Sequence, residues 1–125
     1  MTPAFLDHVV IETTDMDASL AFYVDVLGLY PERVEAYRQG LVSFVSVRAG
    51  RSLIDLFPTA DHPQGPPHFC LTYDLPMSAI QAQLDRCQID ASDPQTRYGA
   101  DGEGLSVYVQ DPDGHTIELR TYHPS

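Results

Sequence analysis

The sequence predicts an α+β fold made of two related halves within one 125-residue chain. Three observations carry this. A strand, a helix and further strands follow one another twice. Each half closes on Ile–acid–Leu, as Ile54–Asp55–Leu56 and as Ile117–Glu118–Leu119. A histidine opens each half, and His8 and His68 lie 60 residues apart while the two acids lie 63 apart. Repeats of this length are supersecondary modules that share a core. The whole of 1–125 then reads as a single domain, with modules at about 5–58 and 67–122.

In the first half, Phe5 to Thr13 is rich in valine and isoleucine and reads as a strand. Asp15 or Asp17 can accept free N–H groups at a helix start. Leu20, Ala21, Val24 and Leu27 then fall at helical spacing, with Phe22 and Tyr23 widening the stripe, and Gly28 suits the end. Leu29 to Val34 predicts a short edge strand that tolerates Pro31. Tyr37 to Gly40 reads as a turn. Leu41–Val47 and Ser52–Phe57 form a hairpin across Ala49–Gly50–Arg51. Pro58 to Pro67 is a proline-rich linker.

The second half begins with a strand from His68 to Tyr73. Pro76 is placed as a first helical residue, and the helix runs to about Cys87. Asp90 to Gly104 reads as loop or irregular strand. Leu105 to Gln110 is a strand with Ser106, Tyr108 and Gln110 on one side. Asp111 to Gly114 turns the chain into a closing strand that ends near Tyr122, and Ser125 follows a loose tail.

Composition excludes several functions. Eighteen acidic against seven basic residues give a formal charge of -11, which repels a phosphate backbone and an anionic membrane surface alike. No apolar run is long enough to span a bilayer and no secretory segment opens the chain, so a cytoplasmic location is expected. Two cysteines, Cys70 and Cys87, make no disulfide scaffold.

Chemistry concentrates on four strand positions. Glu118 lies between Ile117 and Leu119, so it faces opposite to both, and Asp55 repeats the arrangement. His8 and His68 occupy two further strands. Read together, the four line one cavity. Two imidazoles with one or two carboxylates suit iron, manganese, zinc, nickel or cobalt better than a thiolate-seeking metal. By period two, Cys70 shares the His68 face, as a small buried hydrophobe or pocket residue. Tyr108 and Arg120 share the Glu118 side, and Arg120 either grips a substrate carboxylate or pairs with an acid. Arg97 and Tyr98, in the glycine-rich loop, either close over a ligand or turn the chain. Ser106 has no local base and is no hydrolytic nucleophile. His62, His115 and His123 read as surface residues. Phe5, Phe22, Tyr23, Phe44 and Phe57 read as core or dimer contact.

The segments Leu6–Asp7–His8–Val9–Val10, Ala21–Phe22–Tyr23 to Leu27–Gly28–Leu29, and Asp111–Pro112–Asp113–Gly114–His115 leading to Ile117–Glu118–Leu119 carry a resemblance. On them the chain, from about Phe5 to Tyr122, resembles the vicinal oxygen chelate superfamily of glyoxalases, bleomycin-resistance proteins and extradiol dioxygenases. It looks most like the small uncharacterised glyoxalase-domain proteins. The resemblance implies paired βαβββ modules forming a U-shaped, partly open barrel of mixed sheet around one divalent metal, and a homodimer. It implies His8, His68 and Glu118 as ligands. Asp55 stands where glyoxalase I has a ligating glutamate. One methylene shorter, it is read as a fourth ligand, a residue orienting an imidazole, a general base or a solvated acid. Gly102 to Tyr108 resembles the matching stretch of the fosfomycin-resistance group and implies a pocket wall including Ser106.

The function expected is a metal-dependent enzyme that binds neighbouring oxygens of a small-molecule substrate, with Glu118 or Asp55 moving a proton. Glyoxalase-type lyase or isomerase chemistry is the first reading. Ring cleavage with dioxygen is the second, and thiol or water transfer to an epoxide the third. A non-catalytic drug-binding protein is the alternative of a different class.

Overall fold

The computed structural model describes residues 1–124, and Ser125, read as following the tail, lies outside the described residues. The chain divides into two compact units, Met1–Gly65 and Pro66–Ser125, each with its own four-stranded mixed sheet and its own core. Neither sheet closes on itself.

In the first unit the strands are β1 (His8–Thr13), β2 (Tyr30–Glu32), β3 (Val45–Ala49) and β4 (Ser52–Pro58), in the order β1-β4-β3-β2. β1 runs parallel to β4, and β4 forms the expected hairpin with β3. The first helix, α1 (Met16–Leu20), starts on Asp15, whose side chain accepts from the Ala18 N–H. It continues as a π-helix over Ala21–Val26. The wider turn brings two consecutive aromatics, Phe22 and Tyr23, into the core edge to face, with centroids 5.2 Å apart. Gly28, at φ 76°, ends the helix in the left-handed region.

In the second unit the strands are β5 (Phe69–Thr72), β6 (Gln95–Gly99), β7 (Gly102–Gln110) and β8 (Thr116–Thr121), in the order β5-β8-β7-β6. Its helix α3 (Met77–Arg86) has Pro76 at its cap and packs on β8. Among the described residues no helix is long and apolar enough to cross a membrane.

One face of each sheet is covered. Ile11, Val45, Val47, Ile54 and Leu56 are buried with Phe22, Tyr23 and Leu27 in the first unit. Val107, Val109, Ile117 and Leu119 are buried with Met77, Ile80 and Leu84 in the second. Each such side chain contributes about 1.5–3 kcal/mol. Alternation then turns Asp55 and Glu118 away from their apolar neighbours, onto the other face.

Several boundaries differ from the sequence reading. β1 begins at His8 rather than Phe5, and Phe5 is 67% exposed rather than core. The expected turn at Tyr37–Gly40 overlaps a one-turn helix, α2 (Val34–Arg38), too short to show a period. β3 begins at Val45 rather than Leu41. The stretch from Asp90 to Gly104, which reads as loop or irregular strand, contains β6, and β7 starts at Gly102 rather than Leu105.

Candidate functional site

In the first unit, Asp55 is buried on β4 at 7% exposure. Ser46 lies directly across from it on β3, and the Ser46 hydroxyl donates to Asp55 Oδ1 over 2.6 Å. On the other side Asp55 is level with Val10 of β1, and His8 stands two residues earlier on the same face. His8 Nε2 is 3.8 Å from Asp55 Oδ2. His8 Nδ1 donates to Asp7 Oδ2 over 2.7 Å. That bond fixes the tautomer and leaves the Nε2 lone pair for another partner, the arrangement of a metal-binding imidazole. The Asp7 hydrogen bond is also the main cause that raises the His8 pKa, opposed by desolvation and reinforced by Asp55.

The second unit repeats the arrangement with one acid exchanged. Glu118, buried on β8, is level with Cys70 of β5, and His68 stands two residues before Cys70. His68 Nε2 is 3.4 Å from Glu118 Oε1. The Ser106 hydroxyl donates to Glu118 Oε2 over 2.6 Å. Arg120 Nη2 donates to the same oxygen over 3.0 Å. Burial acts to raise the Glu118 pKa, but Ser106 and Arg120 together outweigh it and hold the carboxyl below its usual range.

Arg120 is itself 2% exposed. Its Nη2 also donates to the Tyr98 carbonyl over 3.1 Å, and Nη1 to the Tyr122 hydroxyl over 3.2 Å and the Gly102 carbonyl over 3.4 Å. Its Nε is buried without a hydrogen-bond partner. The guanidinium thus ties Glu118 to the β6–β7 hairpin. Tyr108, directly opposite Glu118 on β7, meets the His68 ring edge to face at 6.0 Å.

Cys70 is exposed rather than the small buried hydrophobe that its strand context predicts, because β5 is an edge strand. Desolvation of the thiol, then the nearby Glu118 charge, push it up to about 11, so it is a weak nucleophile at neutral pH. Arg97 is exposed on β6 and donates to the Thr96 carbonyl over 2.9 Å.

The four expected residues are therefore brought together two by two, each acid with the histidine of its own unit. Ser46 goes unread in the sequence, and His115 is read there as a surface residue. Ser46 carries no signal of its own, because only the register of β3 on β4 puts it opposite Asp55. His115 is buried rather than at the surface. It belongs to a group with Asp111 and Asp113 whose ligand atoms lie within 4.8 Å of one another. Asp111 Oδ1 accepts the Asp113 and His115 N–H groups, each over 2.9 Å, which holds the turn that feeds β8.

The histidine–acid spacings of 3.4 and 3.8 Å exceed a good hydrogen bond. They fit two donors on one ion, since ligands roughly 2.1 Å from a tetrahedral metal are about 3.4 Å apart. Buried carboxylates beside half-exposed imidazoles also form a donor set suited to a divalent metal.

Comparison with known proteins agrees with this architecture. Residues 5–119 match the Glyoxalase/Bleomycin resistance protein/Dioxygenase superfamily. Virulence protein STM3117 of Salmonella typhimurium is 28% identical over 120 residues, covering 94% of this chain and 83% of that protein. A probable lactoylglutathione lyase of Synechocystis is 29% identical over 122 residues, covering 92% of this chain and 93% of that one. The crystal structure of the Salmonella protein superposes with a TM-score of 0.81 at 25% identity, over 98% of this chain and 99% of that chain. With the sequence match running through both histidine–acid pairs and the structural match through both sheets, this chain belongs to the Glyoxalase/Bleomycin resistance protein/Dioxygenase superfamily.

Proposed function

We propose that this protein is a metal-dependent lyase or isomerase of the glyoxalase type, acting on a small molecule with two neighbouring oxygens. The observation that carries the reading is the doubled pair, His8 with Asp55 and His68 with Glu118, each acid fixed by a serine. Likeness to a probable lactoylglutathione lyase supports the reaction class. His8 in the first unit, and His68 with Glu118 in the second, are the residues that would bind metal, with Asp55 beside His8. Iron, manganese, zinc, nickel and cobalt all suit them. Bound there, such an ion supplies Lewis acidity to the substrate oxygens.

The side chains divide the remaining work. Asp7 orients the His8 ring and, in the neutral imidazole, holds the proton on Nδ1, so that the lone pair is on Nε2. Glu118, held ionised by Ser106 and Arg120, is a good anionic donor and a weak base. Proton transfer therefore falls to Asp55, whose Oδ1 is taken by Ser46 and whose Oδ2 turns toward His8. Asp55 Oδ2 would accept a proton from the carbon beside one substrate oxygen and return it to the neighbouring carbon. No net oxidation results.

The test is an activity panel with the purified protein and each metal: a 2-oxoaldehyde with a thiol, a catechol with dioxygen, and an epoxide with a thiol. Turnover of the first alone supports this reading, and turnover of only the second or third overturns it. Protonated His8 cannot bind a metal, and its pKa is raised, so activity should fall on acidification. Asp7→Asn removes the main cause of that rise, so the acid limb should move to lower pH. A limb unmoved by Asp7→Asn assigns it to another group. The protein is expected to act as a homodimer, which light scattering will check.

A further inference from the structure

The two carboxylates differ by one methylene, and the sheet register supplies a reason. Ser46 is directly opposite Asp55, whereas Ser106 is opposite Arg120, two residues beyond Glu118. Directly opposite side chains start roughly 5 Å apart, and diagonal ones about 7–8 Å. The shorter acid meets the nearer serine and the longer acid meets the farther one. Both end with the same 2.6 Å hydrogen bond.

The residues at the exchanged positions complete the pattern. Opposite Glu118, where Ser46 stands in the first unit, is Tyr108. Phe44, two residues before Ser46, takes the place that Ser106 holds in the second unit, and Phe57 takes that of Arg120. Phe44 and Phe57 are stacked at 4.3 Å, and Arg33 covers Phe44 at 4.2 Å from its centroid. A longer acid at position 55 would reach past Ser46 toward two aromatic rings, which offer no donor.

We infer that Ser46 and Ser106 are positioning residues, and that the strand register of each serine sets whether its unit carries aspartate or glutamate. This rests on the metal-binding reading above. Each serine occupies one carboxylate oxygen and turns the other toward the imidazole. Asp55 is then an acid of matched length, not a shortened glutamate that has withdrawn from the site.

The test is titration of the full-length protein with zinc or nickel alone, read by calorimetry, with circular dichroism checking the fold of every variant. Asp55→Glu, which restores the longer acid, is expected to weaken binding by about 10–100-fold, as is Ser46→Ala. Ser46→Thr keeps the hydroxyl and should stay near the parent affinity. Glu118→Asp should weaken binding likewise, since aspartate cannot reach Ser106. If Ser46→Ala does not fold, Asp55→Glu decides. Asp55→Glu binding as tightly as the parent, or Ser46→Ala folding and binding unchanged, overturns the inference while the metal reading stands. A parent protein that takes up neither metal overturns both.

Discussion

Arg120→Met should lower the stability of the folded protein by about 3–5 kcal/mol, the usual cost of leaving a buried charge without its partner. Arg120 and Glu118 have side chains 3% and 7% exposed, so water cannot replace the missing guanidinium. Three further acceptors lose their donor at the same time: the carbonyls of Tyr98 and Gly102 and the hydroxyl of Tyr122. The first two lie on the β6–β7 hairpin, whose β6 strand is exposed from Gln95 to Tyr98. Urea denaturation should therefore show a lowered midpoint. Glu118→Gln in the same background should recover a large part of the loss, because a neutral amide needs no countercharge. Equal destabilisation in the single and double variants would mean that the ion pair is not what holds this region.

Gly99→Ala should act on the same guanidinium from the opposite side. A Cβ at Gly99 would lie 2.0 Å from Arg120 Nη1 and 2.6 Å from the Tyr122 hydroxyl. Both atoms end side chains, but Arg120 is buried and pinned by its hydrogen bonds, so it has no free space to swing into. Overpacking of this kind costs about 1–3 kcal/mol. The displaced Arg120 also releases Glu118, so metal affinity should fall together with stability. Gly50→Ala is the control: its Cβ would meet nothing within 4 Å, and only its φ of 59° is strained. A Gly99→Ala protein as stable as Gly50→Ala would contradict the packing described here.

Much of this was legible in the chain itself. Ile54–Asp55–Leu56 and Ile117–Glu118–Leu119 announce both the strand and the direction of the acid, because alternation fixes both at once. Helical spacing found α1 and α3. It missed the π-helical widening after Leu20, since two adjacent buried aromatics break a 3.6-residue period. It missed α2, which is only five residues long. β6 gave no alternation because Gln95, Thr96, Arg97 and Tyr98 are all exposed. At the site, the two histidine–acid pairs were readable and their supports were not. Ser46 and the hairpin carbonyls on Arg120 depend on which residue lies across from which, and His115 on the turn that Asp111 holds. That register is a property of paired strands, and no single strand encodes it.

The central proposal is that His8, His68 and Glu118 are metal ligands. The direct measurement is the metal content of the protein, purified without chelator and dialysed against zinc or nickel, for the parent and for His8→Ala, His68→Ala and Glu118→Ala. Bound metal in the parent, lost or sharply reduced in each variant that still folds, is the expected result. Occupancy that stays at the parent level when any one of the three is replaced would contradict it.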